Sequence, residues 1–254
     1  MNGNSTSKAA NKTMRVLVTP DYQTLSQTAA ELVARAMRAK PGLVLGLPTG
    51  STPLGMYENL VRMHRDQHLD FSRAQTFNLD EYVGLAPDHP KSYHAYMRRH
   101  FFDHVNIAVE NIHMPNGTLG IDVDAETKSY EQAIEDAGGI DLLIMGIGAN
   151  GHIAFNEPGS SFASRTRVVN LEPETIANAR QHFSSEAGVP RTAITVGIRT
   201  ILDARRIVLL ASGALKADAV ERASRGPVSE AMPASALQLH PHVIAILDEA
   251  ARRF

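Results

Sequence analysis

Seven short apolar, β-branched runs recur along this 254-residue chain: "MRVLVT", "LVLGLP", "QTFNLD", "DLLIMGIG", "RTAITVGI", "RIVLLASG" and "HVIAILDE". Runs of this length, bounded by turn residues, predict buried strands. Helical patterns separate them. The clearest, "QTLSQTAAELVARAMRAKPG", puts Leu25, Ala29, Leu32, Val33, Ala36 and Met37 on one face before Pro41-Gly42 ends it. Strands that alternate with helices over a whole chain predict an α/β protein, a mostly parallel sheet with helices on both faces. The length allows one large domain or two small ones. With no linker, repeat or low-complexity segment, residues 14–254 read as a single domain, and the polar stretch "MNGNSTSKAANKT" at residues 1–13 reads as a disordered tail.

Composition narrows the function. The chain is 43% hydrophobic and 20% charged with net charge -2, the balance of an ordinary folded protein. Its cations are scattered among acids, which argues against a nucleic-acid partner. The absence of cysteine excludes disulfides, zinc-thiolate sites and a cysteine nucleophile. The N-terminal stretch lacks the apolar region of a signal peptide, and no run reaches the roughly 18 apolar residues of a membrane span. The expected compartment is therefore the cytoplasm, with no membrane partner.

Ligands of a parallel sheet bind outside the carboxyl ends of its strands, so the strand-exit loops carry the chemical signal. "GLPTGSTPLGMYENL" passes through Thr49, Gly50, Ser51 and Thr52 into a helix expected to open at Pro53. Free amides, a glycine and several hydroxyls suit a phosphate or sugar cradle; a capped turn is the other reading. Without the lysine of a P-loop, a nucleoside triphosphate is not expected. In "FNLDEYVGL", Asp80 and Glu81 end a predicted strand, the first directed to a cleft and the second away from it. Asp80 there is either a general base or a capping or surface carboxylate.

"GANGHIAFNEPGS" places His152 on a glycine-flanked loop, two residues after Asn150 and five before Glu157. An imidazole shuttles protons near neutral pH when a neighbour holds its ring and tautomer, a task open to Asn150 or Glu157. The paired-histidine spacing of a metal site is missing, so no metal is expected. "ASGALKADAV" sets Lys216 just inside a helix after a glycine turn, a place that suits a phosphate or a solvated lysine. "TIANARQHF" puts Arg180 on a short amphipathic segment from which it can swing over a bound anion as part of a lid.

Taken in order, "LGLPTGSTP", "FNLDEYVGL", "GHIAFNEPGSSFASRTR" and "ALQLHP" closely resemble the glucosamine-6-phosphate deaminase family, from about Arg15 onward. The resemblance implies a modified doubly wound, Rossmann-like fold. It also implies conversion of glucosamine 6-phosphate and water to fructose 6-phosphate and ammonia in amino-sugar catabolism, with no redox cofactor and no essential metal. By position, Asp80 would be the base that removes the C2 proton and helps return one at C1. His152, with Asn150 and Glu157 around it, would open the sugar ring. Thr49, Gly50 and Ser51 would hold the amino-sugar phosphate, and Arg180 and Lys216 its phosphate. Whether the chain forms a homo-oligomer stays open.

Two positions depart from some members of that family. Asn150 stands where some carry Asp; its amide oxygen can orient His152 but brings no charge, so Glu157 is the expected electrostatic partner. Val169 stands two residues after Arg167, where allosterically activated hexameric members carry Lys, and the chain ends at Phe254 without their C-terminal extension. Little or no activation by N-acetylglucosamine 6-phosphate is therefore expected. Among alternatives, 6-phosphogluconolactonase shares a "GxGxxGH" loop, but typically reads "ASLFPG" where this chain has "AFNEPG". A galactosamine-6-phosphate deaminase or isomerase differs only in the contact to C4. A non-catalytic sensor would carry a helix-turn-helix ahead of the sheet, and only fourteen residues precede Arg15.

Overall fold

The protein's structure, a computed structural model, describes residues 14–180, 183 and 189–253. The tail expected over residues 1–13 lies outside them. Helix α1 (Tyr22–Ala39) begins where the Asp21 carboxylate accepts the Thr24 N–H at 2.7 Å, satisfying one of the amides that a helix start leaves without a partner. It ends at Lys40, one residue before Pro41, and buries Leu25, Ala29, Val33, Ala36 and Met37 as its periodicity predicts.

The main sheet is seven-stranded and parallel. Its order is β1 (Arg15–Thr19), β10 (Val243–Asp248), β9 (Ile207–Ala211), β6 (Leu142–Gly146), β2 (Val44–Leu47), β3 (Gln75–Asn78) and β5 (Ile112–His113). Strand alternation divides the core into two layers. Leu143, Met145, Ile207 and Leu209 pack with α4 (Val123–Asp136), α6 (Ile198–Leu202) and α7 (Ala217–Arg225) through Ile134, Ile201 and Val220. Leu142, Ile144, Val208 and Leu210 pack on the opposite face with α1, α2 (Leu54–Gln67) and α3 (Tyr93–His100) through Met37, Tyr57 and Met97. Each such side chain contributes roughly 1.5–3 kcal/mol by leaving water. No helix among the described residues is long and apolar enough to cross a membrane.

One expected strand belongs elsewhere. The run "RTAITVGI" forms β8 (Thr192–Thr195), which lies outside the parallel sheet, between β4 (Asp80–Tyr82) and β7 (Arg167–Asn170) in a three-stranded antiparallel sheet. Apolar periodicity reports that a strand is buried and says nothing about its partner or direction. The run "QTFNLD" divides for the same reason. Strand β3 stops at Asn78; the Leu79 N–H still donates to Leu47 O at 3.3 Å, while Leu79 O accepts the Val196 N–H at 2.8 Å. Leu79 is thus the hand-over between sheets, and Asp80 begins β4 instead of ending β3.

At the amino end of β6, Asp141 ties the two halves of the main sheet together. Its carboxylate accepts from Lys40 Nζ at 2.5 Å, from the Val44 N–H at 2.9 Å and from Arg205. Burial alone would raise its pKa; the bonds from Lys40, Val44 and Arg205 outweigh burial and hold it below the ordinary value. A lowered folded value means that the contribution is present above the unfolded pKa and is lost as pH falls through the folded one. Asp141→Ala is expected to cost about 2 kcal/mol at pH 7. The Lys40 and Arg205 side chains are 51% and 58% exposed, which keeps the cost below that of a fully buried pair. Urea denaturation checks this: the difference from wild type should shrink between pH 7 and pH 3.

The strand order fixes where a ligand can enter. From β2 the chain builds outward through β3 and β5; from β6 it builds the other way through β9 and β10. The direction of winding reverses between β2 and β6, which pair directly. At such a switch point, the loops at the carboxyl ends diverge and leave a crevice. The loops at this point are the one carrying Thr49 to Ser51 and the one carrying Asn150 to Glu157.

Candidate active site

The loop after β6 is closed by its own backbone. The Gly148 N–H donates to His152 O at 2.9 Å, and the Gly151 N–H donates to Gly148 O at 3.0 Å. Within it, Asn150 works in two directions. Its Oδ1 accepts the His152 backbone N–H at 3.1 Å, and its Nδ2 donates to Glu157 Oε2 at 2.8 Å. Asn150 therefore holds the backbone of His152, while the ring is faced by Glu157, whose Oε2 lies 3.5 Å from Nδ1. Of the two groups expected to orient His152, Asn150 does so through the backbone and Glu157 faces the ring. The other Glu157 oxygen, Oε1, accepts from the Thr175 hydroxyl at 2.5 Å, on α5 (Pro173–Arg180). Burial alone would raise the Glu157 pKa; His152, Thr175 and Asn150 together hold it below the ordinary carboxylate value.

The rest of the motif holds this cluster in place. The Phe155 N–H donates to Thr195 Oγ1 at 3.0 Å, and Asn156 Nδ2 donates to Ile153 O and Val196 O at 2.9 and 2.8 Å. Asn156 Oδ1 in turn accepts from Arg167 at 2.8 Å. The loop is thereby sewn to β8 and β7. Gly148 is required by close approach: a Cβ there would lie 2.2 Å from His152 Cε1 and 2.3 Å from Nδ1.

Asp80 faces Thr195 across the β4–β8 ladder, so the strand residue that receives the Phe155 amide also pairs with Asp80. Asp80 is 8% exposed. Burial, with a smaller contribution from the Glu81 charge, pushes its pKa up to about 8. A carboxyl with that value takes and gives a proton near neutral pH. Glu81 turns away from it, as expected, but not to the surface: it is fully buried and accepts the N–H groups of Tyr82, Tyr93 and His94 at 2.8, 3.0 and 3.0 Å.

The loop after β2 is pinned by tyrosines. Tyr57 OH donates to Pro48 O at 2.6 Å, Tyr96 OH to Gly50 O at 2.6 Å and Tyr22 OH to Ser51 O at 3.1 Å. Gly50 has φ +101°, a backbone that favours glycine. Pro53 stands one residue before the first residue of α2, not at it, and no side chain caps that helix. The amides at its start are not all open, since the Gly55 N–H donates to Tyr22 OH at 2.8 Å. Thr49 is within hydrogen-bonding reach of the Tyr93 phenol, which lies 3.2 Å from Tyr82 OH. The Tyr82 and Tyr93 rings sit 5.5 and 6.1 Å from that of Phe155. These aromatics join the three loops, and no spacing in the sequence announces them. Thr175, on a weakly amphipathic helix, is equally silent.

Ser51, Thr52 and Ser212 line a cavity of about 380 Å³, so the exits of β2 and β9 meet. Asp248 braces the β9 exit, accepting from Ser212 Oγ at 2.5 Å and from the Gly213 N–H at 3.0 Å. Lys216 ends a short 3-10 turn (Ala214–Lys216) directly before α7, not inside the helix as expected. Arg180 is the last residue of α5 and is exposed; most of the segment after it lies outside the described residues. Among the described residues, no group of three His, Asp or Glu side chains is arranged to hold a metal ion.

Fold and site together define an open α/β protein with a buried carboxyl, Asp80, and an imidazole faced by a carboxylate, His152 with Glu157, at the carboxyl edge of its sheet. Residues 20–245 match the family model of glucosamine-6-phosphate isomerases/6-phosphogluconolactonase, and the chain belongs to that family. The glucosamine-6-phosphate deaminase of Rhodopirellula baltica is 54% identical over 238 residues, 94% of each chain. A solved monomeric glucosamine-6-phosphate deaminase is 48% identical with a TM-score of 0.90, covering 94% of this chain and 98% of that one. The solved 6-phosphogluconolactonase of Trypanosoma cruzi shares the fold at 18% identity, with a TM-score of 0.72 over 94% of this chain and 95% of that one.

Proposed function

We propose that the protein is a glucosamine-6-phosphate deaminase. The observation that carries this reading is the separation of two proton-transfer groups. A buried carboxyl, Asp80, begins β4; an imidazole faced by a carboxylate, His152 with Glu157, belongs to the loop after β6. Lactone hydrolysis needs one activated water and no base at carbon. Deamination of an aminosugar needs ring opening and enolisation, which are distinct proton transfers.

His152 moves a proton between the anomeric hydroxyl and the ring oxygen, and Glu157 balances the charge of the imidazolium that forms on the way. Asp80 takes the C2 proton of the open aldehyde and delivers a proton at C1. The resulting C2 imine adds water and expels ammonia, leaving fructose 6-phosphate. Thr49, Gly50 and Ser51 hold the sugar, and Arg180 and Lys216 its phosphate, as charge-assisted hydrogen bonds to phosphate require. No redox cofactor enters these steps.

The test is a paired assay. The purified protein is incubated with glucosamine 6-phosphate and with galactosamine 6-phosphate, and ammonia and ketose phosphate are measured together. Equal yields of both products from glucosamine 6-phosphate are expected. Turnover of galactosamine 6-phosphate alone would move the assignment to the C4 epimer, and inactivity on both would sink it.

A further inference from the structure

Glu81 is a buried ionisable group that the proposed reaction leaves unused. It is 0% exposed. Buried carboxylates usually face a cation. Glu81 is held instead by three backbone N–H groups, those of Tyr82 on its own strand and of Tyr93 and His94 in the first turn of α3. Ser92 already caps that helix by accepting the Ala95 N–H at 3.0 Å. A second acceptor, a carboxyl from another element, is more than a helix start requires. What the arrangement adds is a rigid link between β4 and α3, and an ionisable carboxyl one residue from Asp80.

We propose that Glu81 is a positioning residue of the acid–base site: it locks Asp80 and Tyr93 into one frame, and its charge acts on the Asp80 carboxyl from behind. The inference rests on the reading of Asp80 as the base. Its geometric half follows from the three bonds, which join the strand that bears Asp80 to the residue whose phenol reaches Thr49. The electrostatic half follows from what surrounds Asp80. Among the described residues, the ionisable groups that act electrostatically on it include Tyr57 on α2, Tyr82 and Glu81 on β4, Tyr93 on α3 and Tyr130 on α4. Of these, the four phenols are neutral at working pH, and Glu81 is the one that brings a negative charge, a contribution second to burial. Burial raises the Glu81 carboxyl, and its three amide donors, from Tyr93, His94 and Tyr82, act against that and favour its anion. An ionised Glu81 makes Asp80 the stronger base, matched to a step in which one carboxyl both removes and returns a proton.

Side-chain ¹³C titration of the labelled carboxyls in the intact protein tests this, with the Asp80 signal assigned by its absence from Asp80→Asn. In the wild type, Glu81 is expected to titrate before Asp80, and the Asp80 shift to register the Glu81 step, as coupled sites do. In Glu81→Gln, the Asp80 midpoint should fall by about one pH unit. Ser92→Ala loosens the same helix start without changing charge and should leave the midpoint in place. The inference is overturned if Asp80 titrates in the wild type without sensing Glu81. It is equally overturned if Glu81→Gln leaves the midpoint unmoved, or if Ser92→Ala moves it as far. The wild-type titration decides the matter even if Glu81→Gln does not fold. Since the readout is the carboxyl itself, a lack of turnover on glucosamine 6-phosphate bears on the proposed function alone.

Discussion

Asp80→Asn is expected to lower kcat by about 10²- to 10⁴-fold, the range associated with a positioned general base. Loss of label from glucosamine 6-phosphate deuterated at C2 should fall in parallel, because the amide cannot accept the proton. The wild type should also lose kcat/KM as pH drops through about 8, where burial sets the Asp80 carboxyl, and that limb should vanish in the variant. Stability separates this from damage to the fold. A carboxyl whose folded pKa is raised keeps its proton longer in the folded state, so its ionisation costs stability as pH rises from the ordinary value toward about 8. Asp80→Asn escapes that cost and should melt higher than the wild type above pH 8. Ammonia release by the variant at the wild-type rate would show that Asp80 is not the base.

Gly148→Ala is expected to act almost as strongly through a single methyl group. The added Cβ would fall within 2.2 to 2.5 Å of three ring atoms of His152, so the imidazole must move. It has somewhere to go, because the His152 side chain is 26% exposed while Glu157 stays buried at 8%. The backbone of Gly148 is not in the left-handed region that favours glycine, so alanine adds no strain of its own. The expected outcome is a near-native melting temperature and a kcat lower by about 10²-fold, as misplacement of a catalytic group by an ångström can cause. Imidazole NMR should show the ring displaced from Glu157. A variant with native kcat and a displaced ring would show that the 3.5 Å approach to Glu157 is unnecessary.

Much of this site is legible in the residues taken in order. The loop "GANGHIAFNEPGS" advertises chemistry because glycines, His152 and Glu157 crowd a strand exit, and the structure brings Asn150, His152 and Glu157 into direct contact. Asp80 and Glu81 point apart as their positions predict, since neighbours on a strand face opposite sides. That both are buried is not legible, because their burial depends on β8 and α3, elements that lie later in the chain and pack against β4 only in the folded protein. Thr175 gives no signal for a similar reason: its contact is with Glu157, 18 positions earlier in the chain.

The sequence by itself determined the alternation of strands and helices, the two-layer core that follows from apolar period, and which strand exits crowd ionisable side chains among glycines. Period and residue type are local properties, and they survive without knowledge of the fold. Only the tertiary structure decided that β8 leaves the parallel sheet to pair antiparallel with β4 and β7, and that winding reverses between β2 and β6. Pairing partners are chosen by whole surfaces that must close against each other, and no single run encodes that choice. The raised pKa of Asp80 belongs to the same category, because desolvation is exerted by every element that excludes water from it.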